Sequence, residues 1–124
     1  MSCLFNSLAY FHPAHTGASL RKRICDYIAT NPKMIDEMRA SDIIKHVDNV
    51  DIKAYVTRMR MSSTWGGAIE IRAYNQLFQA NICVKVLHTG KNIEFLYKRN
   101  SPLSTISWNG SHFEPVRNPT RKRS

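Results

Sequence analysis

Asn81-Ile82-Cys83-Val84-Lys85-Val86-Leu87 is where the chain changes its period. Upstream, apolar residues recur every three or four positions. From here on they come in short β-branched runs. Residues 82–87 read as a strand, His88-Thr89-Gly90-Lys91-Asn92 as a turn and residues 93–97 as a second strand. Residues 104–108 give a third. Asn109-Gly110 is a two-residue hairpin signal, and residues 112–116 return as a fourth strand. Helices first and strands last predict an α+β fold rather than alternating α/β.

Working back from that boundary, residues 68–79 form a helix that is apolar over a wide arc and therefore central. Ser62-Ser63-Thr64-Trp65-Gly66-Gly67 precedes it as a break, with Thr64 a candidate cap. Asp51 caps an amphipathic helix carrying Ile52, Tyr55, Val56 and Met59. Ser41 caps another, with Ile43, Ile44 and Val47 inside and Asp48-Asn49 as its stop. Met34, Ile35 and Met38 suggest one more short helix. Residues 20–30 carry the stripe Leu20, Ile24, Tyr27 and Ile28, capped by Thr16 or Ser19 and ended by Asn31-Pro32. Arg21-Lys22-Arg23 reads as the solvated edge of that stripe. His12 and His15 fall in a loop with Pro13 and Gly17. They read as exposed, and no third ligand lies near enough to suggest a metal.

The 124 residues suit one domain, 1–117, followed by a basic, disordered tail, 118–124. No apolar run approaches a membrane span, and no secretory leader is evident, so a soluble, intracellular and cytoplasmic protein is expected. Cys3, Cys25 and Cys83 are an odd number with no CxxC, which fits reduced thiols and neither a disulfide framework nor a zinc knuckle. The net charge of +9 allows nucleic-acid binding, but four of the positive charges lie in the last eight residues. A solvated helix face plus a basic tail is the preferred account of the excess.

Two stretches carry chemistry. In Ser2-Cys3-Leu4-Phe5-Asn6-Ser7-Leu8-Ala9-Tyr10-Phe11, Leu4, Leu8 and Phe11 fall at helical spacing. Ser2 can cap that helix, which puts Cys3 in the first turn, where N–H groups and the helix dipole favour a thiolate. The alternative is a small buried hydrophobe, the commoner fate of a lone cysteine. In Trp108-Asn109-Gly110-Ser111-His112-Phe113-Glu114, His112 follows the hairpin turn on a strand. Glu114 at i+2 then shares its face and can orient the imidazole. A thiol, an imidazole and an acid are the parts of a thiol protease. A surface histidine beside an exposed glutamate fits the same spacing.

Four blocks then stand in order over residues 3–116. They are Cys3-Leu4-Phe5-Asn6-Ser7-Leu8, then Leu20-Arg21-Lys22-Arg23-Ile24 with Asp26-Tyr27-Ile28 and Asn31-Pro32. Next come Tyr55 and Met59 with Thr64-Trp65-Gly66-Gly67 and Ile69-Glu70-Ile71-Arg72-Ala73. Last is Ile82-Cys83-Val84 with His112-Phe113-Glu114-Pro115-Val116. This ordered set resembles the ovarian-tumour (OTU) family of cysteine proteases, most of which are deubiquitinases, and its compactness is most like the family's viral members. The resemblance implies a papain-like α+β fold, with N-terminal helices packed on a small, mostly antiparallel C-terminal sheet. It implies Cys3 as nucleophile, His112 as general base and then acid, and Glu114 as the orienting acid. Trp65, Gly66 and Gly67 would support a narrow channel for an extended tail ending in Gly-Gly. Trp108 would be a wall of that channel, and Asn109 a polar contact near His112. The implied partner is a ubiquitin or ubiquitin-like conjugate, with no cofactor, no metal and no membrane, in a host cell's cytoplasm if the chain is viral. The oligomeric state is left open.

Two departures accompany the resemblance. The family's acid three residues ahead of the cysteine has no counterpart, because Met1 and Ser2 are what precede Cys3 here, and that lead-in helps form the family's oxyanion hole. Glu114 stands where Asp or Asn is commoner. Both bear on catalytic efficiency more than on fold. The alternatives are an OTU-fold module that holds ubiquitin without cutting it and, further off, a basic nucleic-acid-binding domain.

Overall fold

The change of period at Asn81 is the border between two layers. The computed structural model describes residues 3–117, so the basic segment 118–124 and the expected cap Ser2 lie outside the described residues. Helices α1 (Cys3–Ala9), α2 (Gly17–Ala29), α3 (Ala40–Asp48), α4 (Ile52–Met59) and α5 (Ala68–Phe78) come first. Strands β3 (Asn81–Val86), β4 (Lys91–Phe95), β5 (Leu103–Trp108) and β6 (Phe113–Pro115) follow, in the order β4-β3-β5-β6. The fold is α+β.

The inner face of the sheet is made by Ile82, Val84 and Ile106, which join Leu8, Leu20, Ile24 and Tyr74 in one core. Helix α5 is the central bar. Ile71, Ala73 and Tyr74 are buried, and the helix packs on α2 on one side and on β3 and β4 on the other. Asn75 fastens its end to the sheet, donating from Nδ2 to the carbonyls of Ala80 (2.7 Å) and Phe95 (3.0 Å). The outer pairs β3/β4 and β5/β6 are antiparallel. The central pair β3/β5 is parallel, with Val84 opposite Ile106. The chain leaves β4 and crosses back to the far side of β3, and Asn81 organises that crossing. Its Nδ2 donates to Lys98 O (2.7 Å) and Ser101 O (3.1 Å). Its Oδ1 accepts from Tyr97 N (2.6 Å) and Lys98 N (3.3 Å).

Several local expectations are corrected. Met34, Ile35 and Met38 belong to a two-stranded hairpin, β1 (Lys33–Ile35) and β2 (Met38–Arg39), not to a helix. Asp36 turns it with φ +50, and burial alternates from buried Met34 to exposed Ile35. Helix α2 begins at Gly17 rather than near Leu20, because Thr16 and Ser19 close a reciprocal capping box (3.1 and 2.9 Å). Gly17 lets α2 approach α1: a Cβ there would lie 1.8 Å from Asn6 Oδ1. His12 is not an exposed loop residue. It is half-buried, its Nε2 is 2.6 Å from Tyr74 Oη, and its ring lies 4.3 Å from that of Phe78. Burial and the neighbouring His15 hold its pKa below the usual histidine range. Thr64 does not cap α5. Gly67 does, with Glu70 accepting its N–H.

Replacing Asn81 by Leu strips partners from four backbone groups at the crossover. The expected outcome is a loss of about 2–4 kcal/mol in unfolding free energy by denaturant titration, with a wild-type-like far-UV spectrum.

Candidate active site

Cys3 is the first residue of α1, and the apolar side chains that follow it anchor the helix. Leu4, Phe5 and Leu8 are at most 1% exposed, while Cys3 is partly exposed. Ser7 Oγ donates to the Cys3 carbonyl at 2.7 Å. The other two thiols are buried. Burial pushes Cys25 up to about 11 and raises Cys83 as well, so both stay protonated at neutral pH.

The segment Trp65-Gly66-Gly67 runs directly over the start of α1. A Cβ on Gly66 would lie 2.8 Å from Leu4 Cδ2 and 3.0 Å from Phe5 Cε2. Two buried ionisable side chains hold that segment. Ahead of it, Arg21 donates from Nη1 to Met59 O (2.7 Å) and from Nη2 to Thr64 O (3.0 Å) and Ser62 O (3.4 Å), with its guanidinium 4.2 Å from the Phe5 ring centre. Behind it, Glu70 takes the Gly67 N–H at 2.7 Å. Arg21 is thus no part of a solvated face. Lys22 and Arg23 are exposed, and Lys22 shares Asp26 with Arg60.

The β5/β6 hairpin supplies the facing wall. Its register pairs Trp108 with Phe113, so the connection has four residues, 109–112, rather than two. Asn109 Oδ1 accepts from Ser111 N (3.1 Å), Ser111 Oγ (3.3 Å) and His112 N (2.8 Å), and Asn109 N donates to His112 O (3.2 Å). Gly110 supplies the positive φ of +105 that this turn requires. The rings of Trp108 and Phe113 stack with centres 6.0 Å apart, which pins the turn across the strands. His112 is therefore the last turn residue, exposed, just ahead of β6 and not within it. Glu114 lies in β6 opposite Ser107 and is exposed. Among the described residues, no hydrogen bond or ion pair joins it to His112. Asn109 is the polar neighbour that does hold His112, through the backbone.

Helix α1 packs against β6, so the thiol-bearing helix and the histidine-bearing turn belong to one corner of the molecule. Between Trp65-Gly66-Gly67 and the turn is a cleft of about 530 Å³, lined among others by Trp108, Ser111 and Phe113. Cys3 does not itself line the cleft; Leu4, the next residue, packs beneath Gly66. His112 adjoins the wall of the cleft through Ser111 and Phe113. A thiol nucleophile, a base and a narrow apolar slot are what acyl transfer from an extended peptide needs. Sequence reasoning missed Arg21 and Glu70 as supports of the slot. It also missed His88, whose ring meets Trp108 edge-on at 5.9 Å. No cluster of three His, Cys, Asp or Glu able to hold a metal occurs among the described residues, nor any helix long and apolar enough to cross a membrane.

Gly66 and Gly67 should respond differently to substitution. Gly66→Ala drives a methyl into buried Leu4 and Phe5, and is expected to cost about 1–3 kcal/mol of stability. Gly67→Ala meets nothing within 4 Å and should leave the melting curve unchanged. Thermal unfolding of the two variants checks this.

A family model described as OTU-like cysteine protease matches residues 2–113. The chain is 29% identical over 122 residues to ubiquitin thioesterase OTU1 of Mus musculus, with 93% of this chain and 33% of the relative covered. It is 27% identical to ubiquitin thioesterase OTU1 of Danio rerio, covering 93% and 38%. It thus spans roughly a third of the length of these relatives. Among solved structures, an ovarian tumor (OTU) domain in complex with ubiquitin superposes with a TM-score of 0.73 at 22% identity, over 92% of this chain and 62% of that one. The viral OTU domain protease from Dera Ghazi Khan virus gives 0.67 at 16% identity, over 92% and 72%. With the matched region running from the Cys3 helix to the His112 turn, the chain belongs to the OTU-like cysteine protease family.

Proposed function

We propose that residues 1–117 form a thiol-dependent deubiquitinase that hydrolyses the peptide or isopeptide bond after the C-terminal Gly-Gly of ubiquitin or a ubiquitin-like modifier. The observation that carries this is the shared corner of α1, Trp65-Gly66-Gly67 and the 109–112 turn, within a chain of this family. The extended tail would enter between Trp65 and Trp108. Gly66 and Gly67 present backbone without side chains to the cleft, where an extended Gly-Gly end would lie against them. The Cys3 thiolate attacks the carbonyl carbon. The C–N bond breaks as His112 gives its proton to the leaving amine, leaving a thioester on Cys3. His112 then takes a proton from water, whose oxygen displaces the thiol and frees the carboxylate. Glu114, exposed and not bonded to His112, would act on the imidazolium as a solvated charge. Asn109 fixes the turn that carries the base.

A second reading is favoured by that missing Glu114 contact. With no acid to orient His112, the same cleft would hold ubiquitin without cutting it. Nucleic-acid binding gains nothing from the fold, since Arg21 is buried and Lys22 is paired with Asp26.

A ubiquitin probe with an electrophilic C-terminus separates the two. The deubiquitinase reading predicts a covalent adduct at Cys3, lost in Cys3→Ala and unaffected by Cys25→Ser or Cys83→Ser. His112→Ala should slow hydrolysis of a ubiquitin fluorophore by about 10³-fold or more. Glu114→Ala should slow it by about tenfold at most, because an exposed charge is screened. Tight binding without an adduct would support the binding module.

A further inference from the structure

Glu70 is the buried ionisable group that this chemistry leaves unused. It is 1% exposed, yet it sits beside the loop that narrows the cleft. Oε1 accepts from Gly67 N–H at 2.7 Å, and Oε2 accepts from Tyr55 O–H at 2.6 Å. It also borders a second hollow of about 390 Å³, beyond Trp65. When ionised, the carboxylate accepts both bonds. A protonated acid must donate from one oxygen, and its remaining acceptor is weaker. The proton can sit on Oε2 and donate to Tyr55 Oη, so both contacts persist, but the Gly67 N–H then meets a neutral carbonyl oxygen and its bond is weakened. The loop's freedom to respond lies at Gly67, because Gly66 is wedged against Leu4 and Phe5 while the Cβ position of Gly67 is open.

We propose that Glu70 is the positioning residue of the cleft: its carboxylate, held by Tyr55, fixes the Gly67 backbone in the conformation that receives the substrate tail. The substrate part of this proposal rests on the function proposed above. The control of the loop does not.

The electrostatic setting makes that control sensitive to pH. Burial pushes Glu70 up to about 7 and Asp48 pushes the same way, while the bonds from Tyr55 and Gly67 pull down. The charged or titratable groups facing it are Asp48 from α3, Tyr55 from α4, and Arg21 and Cys25 from α2. A carboxyl raised in the folded state lends stability below its ordinary value of 4.5, and that contribution is lost as pH rises through about 7. Ionised Glu70 therefore weakens the fold under the conditions in which it holds Gly67 most firmly. Glu70→Gln should accordingly melt no lower than wild type above pH about 7, so a loss of tail affinity would not reflect unfolding.

The test combines the Gly67 amide proton, followed by NMR against pH, with hydrolysis of a ubiquitin fluorophore. In the wild type the Gly67 resonance should titrate with a midpoint near 7. In Glu70→Gln the inflection should vanish. In Tyr55→Phe the midpoint should move up, because the Tyr55 bond is one of those holding it down. Above the midpoint, Glu70→Gln should raise KM about fivefold with kcat nearly unchanged, and its KM should no longer vary with pH. A Gly67 resonance that does not titrate, or that titrates unchanged in Glu70→Gln, overturns the proposal. So does a variant with wild-type KM across the range. If the wild type neither cleaves nor binds ubiquitin, the deubiquitinase reading fails by itself, and the NMR result still decides whether Glu70 governs the loop.

Discussion

The guanidinium of Arg21 is the constraint on which the rest of this molecule depends. It lies on the Phe5 ring and reaches three carbonyls between Met59 and Thr64, so it joins α1, α2 and the lead-in to Trp65-Gly66-Gly67. Removing a cation from water is costly, and burial lowers the basicity of this one. Oriented carbonyl dipoles and an aromatic face offset that cost where they converge. An ammonium could not replace it, because a point charge on a flexible stem lacks the planar fork that spans several acceptors. The Cys3 helix and the lead-in to Trp65-Gly66-Gly67 are thereby tied to one side chain, and Gly66 packs on Leu4 and Phe5 as a common floor.

The opposite wall is built independently, from backbone register and turn chemistry. Trp108 stacked on Phe113 sets the end of the hairpin, and Asn109 ties the turn to its own backbone. That turn places His112 with no side-chain hydrogen bond among the described residues. The two walls meet where α1 packs on β6. Burial keeps Cys25 and Cys83 protonated, which leaves Cys3, partly exposed, as the most accessible thiol of the three.

Much of this was legible in the sequence. The switch from a helical period to β-branched runs at Asn81 predicts both layers and their order. The Thr16/Ser19 pair, Asp51 and the break at Ser62 mark helix ends because capping is local chemistry. Cys3, His112 and the two glycines are candidates by their local settings and by the order of the blocks that contain them, and the fold brings the elements that carry them to one corner. What stayed hidden depends on distant contacts. Arg21 stands four residues before buried Cys25 and three before Ile24, so spacing puts it in the buried stripe. Its charge concealed that, since its acceptors come from a loop some forty residues away. Gly17 reads as a loop residue in the sequence because its close neighbour, Asn6, is on another helix. The β1/β2 hairpin is too short for any period to show. The parallel pairing of β3 with β5 is decided by Asn81 gathering the crossover. His112 leaves the strand because Asn109 captures its N–H, and no bond joins its side chain to Glu114.

In the proposed function, one slot, floored by Gly66 on Phe5 and walled by the His112 turn, would present a Gly-Gly tail to Cys3. A crystal structure of the covalent adduct with a C-terminally electrophilic ubiquitin would test it most directly. The account predicts a bond from the probe to Cys3 Sγ. It also predicts an extended tail between Trp65-Gly66-Gly67 and the 109–112 turn, with His112 beside the new linkage. A tail routed over another surface, or a bond to Cys25 or Cys83, would contradict it.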